Sequence, residues 1–197
     1  MFLEVQPPYY RIMPFTFAQT DLPGVLKIES KVFPDARGYF MESFKESDFK
    51  EAGIDYNFTQ DNHSFSKSGV IRGLHFQKHP NEQGKLVAVL SGEIFDVAVD
   101  IRPNSETFSK WVGVILSEQN RSMLWIPPGF AHGFQALQDS HVYYKATNEF
   151  SPGDDAGIRW DDPAIAIKWP IQDPIVSEKD SKLPFITDLR IKRGDSH

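Results

Sequence analysis

His75 lies in the run Arg72-Gly-Leu-His75-Phe-Gln-Lys-His-Pro-Asn-Glu-Gln-Gly-Lys85, between two cations. Tyr144 stands in a later, β-like stretch. These groups can work together. An unperturbed imidazole titrates at about 6.5 and takes a proton efficiently at neutral pH. A phenol can return a proton, and an ammonium can offset negative charge that builds on an oxygen in between. The chemistry they suit is proton transfer at a carbon beside a carbonyl. A lone strand histidine is more often structural, so the neighbours carry the argument. Arg72 and His75 differ in parity, and a regular strand would aim them to opposite faces. Gly73 between them permits a bulge that turns both to one side.

His132 closes the run Ile126-Pro-Pro-Gly-Phe-Ala-His132-Gly-Phe134. The spacing Pro127-x-Gly129-x-x-His132 resembles the second motif of cupins. Metal-binding cupins pair it with a His-x-His in the first motif. Here the matching place reads His75-Phe-Gln77, so one histidine is replaced by an amide. His75, Gln77, Glu82 and His132 can be imagined as a metal set, but glutamine is a weak ligand for zinc or iron. No metal is expected, which leaves His75 available as a base. A metal-dependent cupin stays as an alternative.

The chain has 197 residues, enough for one well-buried domain and short for two. It carries 27 acidic against 21 basic side chains, a net charge of −6, which disfavours nucleic acid as a partner. An anionic ligand would need a local cluster of Arg and Lys. There is no cysteine, so disulfides, thiolate nucleophiles and zinc ribbons are excluded. No glycine-rich phosphate loop of dinucleotide type is present, and no cofactor is expected. No segment approaches the roughly 18 apolar residues of a membrane span, and no signal-peptide pattern opens the chain. The expectation is a cytoplasmic protein with no membrane partner.

The elements that would position these residues read as β. Lys85–Leu90 and Glu93–Ile101 flank Ser91-Gly92, which predicts a two-residue hairpin. In the second stretch Phe95, Val97, Val99 and Ile101 alternate with Ile94, Asp96, Ala98 and Asp100, giving one oily and one partly acidic face. Trp111–Leu116, Ser122–Ile126 and Val142–Thr147 are further strands, and short gaps between strands predict antiparallel neighbours. Asp35-Ala-Arg37-Gly38 reads as a turn, and Asn62-His63-Ser64 taken alone reads as another. Ser47 is placed to cap a short helix ended by Gly53, and a second helix starts near Ser177. Residues 1–20 form an aromatic N-terminal arm, and 21–197 a single domain whose Pro- and Asp-rich tail from Ser151 wraps it. Many short antiparallel strands point to an all-β barrel or jelly roll with a few short peripheral helices.

Taken in order, these blocks resemble the dTDP-4-dehydrorhamnose 3,5-epimerase family. They are Phe33-Pro-Asp-Ala-Arg-Gly-Tyr-Phe-Met-Glu42, Gln60-Asp-Asn-His-Ser64, Arg72-Gly-Leu-His-Phe-Gln77 and Phe95-Asp-Val-Ala-Val-Asp100. Trp125–Phe134, Tyr144-Lys-Ala-Thr147 and Ser177-Glu-Lys-Asp180 follow, so the likeness runs from about Asp21 to Pro184. The resemblance implies a metal-free, cupin-like jelly-roll homodimer acting on a dTDP-sugar as a cofactor-independent isomerase. It implies His75 as general base, Asp180 as the carboxylate that orients it, Tyr144 as proton donor and Lys85 as stabiliser of an enolate. It implies substrate-binding positions at Arg37, Glu42, Gln60, Asn62, Arg72, His132 and Lys179, and at Asp155, where many relatives carry Glu. Nearby cations would be needed to lower the Tyr144 pKa from about 10. Many relatives have a second tyrosine six residues beyond the donor, and here that position is Phe150. Epimerisation at C3 alone is therefore the near alternative to C3 and C5, and a non-catalytic sugar-nucleotide binder is a further one.

Overall fold

In the computed structural model, which describes residues 14–189, strands dominate. The chain opens with β1 (Phe15–Gln19) and β2 (Leu26–Ser30), then a hairpin of β3 (Val32–Asp35) and β4 (Gly38–Met41). Helix α1 (Glu46–Glu51) leads to β5 (Gln60–Ser66), β6 (Val70–Gln77), β7 (Lys85–Ser91) and β8 (Glu93–Asp100). β9 (Trp111–Ser117), β10 (Ser122–Ile126), β11 (Phe130–Ala136) and β12 (Ser140–Ala146) follow. Short β13 (Asp155–Gly157), β14 (Ile175–Val176) and α2 (Glu178–Ser181) follow, and a single 3-10 turn at Ile186–Asp188 comes last among the described residues. One sheet runs β1-β2-β10-β7-β12-β5, and the other β13-β6-β11-β8-β9 with β14 parallel to β6. Two such sheets, packed face to face, make a jelly roll.

The space between the sheets is filled by Val87, Val89 and Val142 from one side and Ile94, Ala98, Phe130 and Phe134 from the other. Period two then explains the two faces of β8. Ile94 and Ala98 belong to this inner core, so Asp96 and Asp100 point the same way. The oily face, Val97, Val99 and Ile101, is covered by Ile158, Ile165, Trp169 and Ile186 of the C-terminal tail. The tail is clamped as well as packed. Buried Gln135 donates through Nε2 to the Ile171 carbonyl at 2.8 Å and accepts from the Ile171 N–H at 2.9 Å.

The strands expected at Lys85, Glu93, Trp111, Ser122 and Val142 all form. The expected hairpin between the first two does not. β7 pairs with β10 and β12, while β8 pairs with β9 and β11, so Ser91-Gly92 is a corner between sheets. Local alternation is the same for a hairpin and a corner; the buried inner faces decide. Gly92 is needed there. Its φ is +86°, and a Cβ would stand 2.3 Å from the Asp139 carbonyl oxygen. Asn62-His63-Ser64 lies within β5 rather than in a turn, because its backbone pairs with β12. Helix α1 begins at Glu46 with Lys45 as N-cap, two residues ahead of Ser47, and ends before Gly53 at φ +89°. The second helix starts as expected: the Ser177 hydroxyl accepts from the Asp180 N–H at 3.0 Å. Of the expected arm, Phe15–Gln19 is strand β1, and residues 1–13 lie outside the described residues.

Gly92→Ala should destabilise the protein by about 1–3 kcal/mol through left-handed backbone strain and the clash at the corner. Urea unfolding measures this, and an unchanged midpoint would contradict the corner geometry.

Candidate active site

The inner faces of the two sheets meet at a pocket of about 540 Å³. One sheet contributes Ser64, Lys85 and Tyr144, and the other Arg72, His75, His132 and Phe134. β14 and α2 close one side with Ile175, Ser177, Lys179 and Asp180.

Strand β6 carries the first group. His132 faces His75 across the β6–β11 pair, and Phe134 faces Arg72. Between these pairs Gly73 and Leu74 oppose Gly133 alone, which is the bulge the parity argument requires. The backbones nearly touch: a Cβ on Gly73, at φ +132°, would meet Gly133 Cα at 2.5 Å. Arg72 and His75 consequently line one pocket. Arg72 is held by two bonds, from Nε to Ser66 Oγ at 2.9 Å and from Nη2 to the Phe65 carbonyl at 2.9 Å.

His75 Nε2 and Asp180 Oδ1 are 2.8 Å apart. A carboxylate accepts, so Nε2 carries the proton and Nδ1 keeps its lone pair. The other Asp180 oxygen accepts from the Gly73 N–H at 3.2 Å. Burial pushes the Asp180 pKa up, but it lies below the usual carboxylate value because His75, the Gly73 N–H and the Ser177 hydroxyl stabilise the ionised form. The imidazole is thus oriented on one nitrogen, and its other nitrogen has no hydrogen-bond partner among the described residues.

Lys85 and Tyr144 project from neighbouring strands of the opposite sheet, where Tyr144 is paired with Val87. Neither Lys85 Nζ nor the Tyr144 hydroxyl has a hydrogen-bond partner among the described residues, and the ammonium lies 5.8 Å from the phenol ring centroid. Burial lowers the Lys85 pKa to about 8, against the charges of Asp96 and Asp155. The Tyr144 pKa is raised, chiefly by burial, with Arg72 opposing. This corrects the expectation that cations lower it: desolvation outweighs the guanidinium, and the phenol keeps its proton.

His132 is buried, with Nε2 2.7 Å from Asp96 Oδ1. Sequence reading passed over Asp96. Its place on the acidic face of β8 was visible, but not that this face turns inward.

The remaining expected binding residues divide. Lys179 lines the pocket and is ion-paired with Asp155 at 2.5 Å. Gln60 and Asn62 share the β5 face with the pocket residue Ser64, and Asn62 is paired with Tyr144. Arg37 and Glu42 are not brought to this pocket. Arg37 sits at the exposed turn of the β3–β4 hairpin, bonded to Asp35 at 2.6 Å. The hairpin exposes Phe33, Tyr39 and Phe40. Phe150 is 53% exposed and lines a separate hollow with Asn81 and Asn148.

The imagined metal set does not assemble. Gln77 Nε2 donates to the carbonyls of Asn81 and Glu149, and its Oε1 accepts from the Ser151 N–H. Glu82 pairs with His79 instead, at 3.2 Å. Among the described residues no group of three or more His, Asp or Glu side chains could hold a metal ion.

A half-buried imidazole held by a buried carboxylate, a phenol with no hydrogen-bond partner among the described residues and a buried ammonium in the pocket of a jelly roll define a cupin-like protein with an acid–base pocket. The model of the family described as dTDP-4-dehydrorhamnose 3,5-epimerase matches residues 19–188, and the chain belongs to that family. A relative from Methanothermobacter thermautotrophicus with that name is 54% identical over 170 residues, 84% of this chain and 91% of its own. The crystal structure of the Sulfolobus tokodaii 3,5-epimerase is 49% identical with a TM-score of 0.85, covering 91% of this chain and 99% of that one. That of a Legionella pneumophila 3,5-epimerase in complex with dTDP-4-keto-L-rhamnose is 44% identical with a TM-score of 0.86, covering 89% and 94%.

The His132 pKa is lowered, chiefly by burial, which Asp96 opposes and Lys85 and His75 reinforce. Below about pH 6.5 the unfolded chain therefore takes up a proton at this residue that the folded chain refuses, and stability falls. His132→Gln removes that titration. Urea unfolding at about pH 7.5 and about pH 5.5 should show a smaller loss in the variant than in the natural protein; equal losses would exclude His132 as the source.

Proposed function

We propose that the protein epimerises dTDP-4-dehydro-6-deoxy-D-glucose at C3 and C5, giving dTDP-4-dehydro-L-rhamnose. The observation that carries this reading is that His75 and Tyr144 line one pocket from opposite sheets, with Lys85 beside Tyr144 on the neighbouring strand β7. His75 Nδ1 removes the proton from C3 or C5, beside the C4 ketone. The electron pair moves onto the C4 oxygen as an enolate, and Lys85 offsets that charge in a desolvated site. Tyr144, kept protonated by burial, returns a proton to the opposite face. Asp180 holds the imidazole in the required tautomer and stabilises it once charged. Arg72 and Lys179 supply cations for the diphosphate in a net-acidic protein, with His132, Asp155, Gln60 and Asn62 binding further parts of the substrate. The reaction is redox-neutral and calls for no electron carrier.

We read the enzyme as a homodimer. The exposed β3–β4 hairpin carries Arg37 and Glu42 away from the pocket of its own chain, and its bare aromatic rings suit burial against a second copy, whose pocket these two residues would complete. A cytoplasmic location fits a nucleotide-sugar substrate. No helix among the described residues is long and apolar enough to cross a membrane.

A second reading, epimerisation at C3 alone, rests on Phe150, which offers no phenolic hydroxyl. One experiment separates the two. Turnover of dTDP-4-keto-6-deoxyglucose in deuterium oxide should place deuterium at both C3 and C5 by NMR. Label at C3 only selects the second reading, and no label at either carbon refutes both. His75→Asn should slow incorporation by about 10²–10⁴-fold, the usual contribution of a general base. Arg37→Ala should raise KM for the substrate while leaving kcat and folding nearly unchanged, and light scattering should give twice the monomer mass. A monomeric, fully active protein would exclude the shared pocket.

A further inference from the structure

We propose that Asp96 is a positioning residue of this pocket, one whose carboxylate orients His132 and supplies the counter-charge that holds the buried Lys85 as an ammonium. The enolate that Lys85 would meet belongs to the epimerase reading above. The charge relation itself is a property of the folded protein.

Asp96 lies fully buried on the inner face of β8. Its Oδ1 accepts from His132 Nε2–H, which assigns the tautomer of that ring and leaves Nδ1 with a lone pair. Its Oδ2 is also buried, yet no hydrogen-bond donor among the described residues reaches it. A buried carboxylate oxygen without a donor is costly and needs compensation. Lys85 poses the converse problem, a buried ammonium without an acceptor among the described residues. Both groups act on the same imidazole. Lys85 shares the inner face of β7 with Val87 and Val89, and Asp96 shares the inner face of β8 with Ile94 and Ala98, so the two charges project from opposite sheets into one interior and attract without direct contact.

The other charged groups around Lys85 do not offer this. From β6, Arg72 and His75 carry positive charge or none. From β11 and β12, His132 and Tyr144 are held neutral by burial. On α2, Asp180 is engaged by His75 and the Gly73 N–H, and Lys179 is cationic. Asp155 on β13 is ion-paired with Lys179. Asp96 is the carboxylate with charge to spare, and its field is the first of the two that oppose the desolvation of Lys85.

The test follows the Lys85 side chain by NMR in protein labelled at lysine Cε, together with the pH–rate profile. In the natural enzyme the lysine should titrate at about 8, and activity should fall above that pH. Asp96→Asn should move both midpoints down by on the order of one unit or more, as expected for losing a nearby opposite charge. His132→Asn keeps the carboxylate and should leave the lysine midpoint in place. A general packing defect would not produce that contrast. An Asp96→Asn midpoint unchanged from the natural one overturns the proposal, as does an equal downward shift in His132→Asn. Should Asp96→Asn fail to fold, a natural-protein lysine midpoint below about 7 overturns it, since Lys85 would then be neutral despite Asp96. The NMR arm needs no turnover, so a protein that exchanges no deuterium would refute the epimerase reading while this relation is still decided.

Discussion

The backbone contact between Gly73 on β6 and Gly133 on β11 is the constraint on which the pocket depends. Neither position tolerates a Cβ: one on Gly73 would meet Gly133 Cα at 2.5 Å, and one on Gly133 would meet the Arg72 carbonyl oxygen at 2.7 Å. The approach lets two residues of β6 sit against one of β11. It thereby brings Arg72 and His75, which a regular strand would separate, to a common cavity. It also turns the Gly73 N–H toward Asp180, so the same bulge that aims the imidazole helps to hold the carboxylate that orients it.

Burial then sorts the chemistry. Desolvation favours the neutral form of every group in the pocket, but its outcome depends on the partner. Tyr144 has only the Arg72 guanidinium to oppose it and stays a phenol. His132 has a carboxylate at hydrogen-bond distance and is still driven to the neutral form. Lys85 ends near 8, charged at neutral pH by a small margin. Asp180 goes the other way, because three donors hold its ionised form. A proton acceptor, a proton donor and a cation therefore coexist a few strands apart.

Much of the fold was legible along the chain. Short apolar, β-rich runs between turn residues located the strands at Lys85, Glu93, Trp111, Ser122 and Val142, with period-two alternation in the second, and Ser177 announced the helix that carries Asp180. The pairing of the strands was not legible. A jelly roll sends consecutive strands to opposite sheets, so Ser91-Gly92, which has the composition of a hairpin loop, is a corner. Alternation says that a strand has two faces and not which neighbour each will meet. Gln77 shows the same limit: it stands in a ligand's place in the motif, yet its amide is consumed by three backbone groups, one from the loop that follows it and two from a loop more than seventy residues on.

By itself the sequence determined the strand-rich class, the residue types able to move protons and the family pattern that contains them, since these follow from local composition and spacing. Only the tertiary structure decided which of those residues share a cavity. His75 and Asp180 are separated by 105 positions and lie 2.8 Å apart, while Arg37, inside one of the matching motifs, stands clear of the pocket on a hairpin. It also decided the protonation of Tyr144 and Lys85 and the part of Asp96. Those depend on how much water the packed sheets remove and which charges remain within reach, and neither quantity is written in the neighbours along the chain.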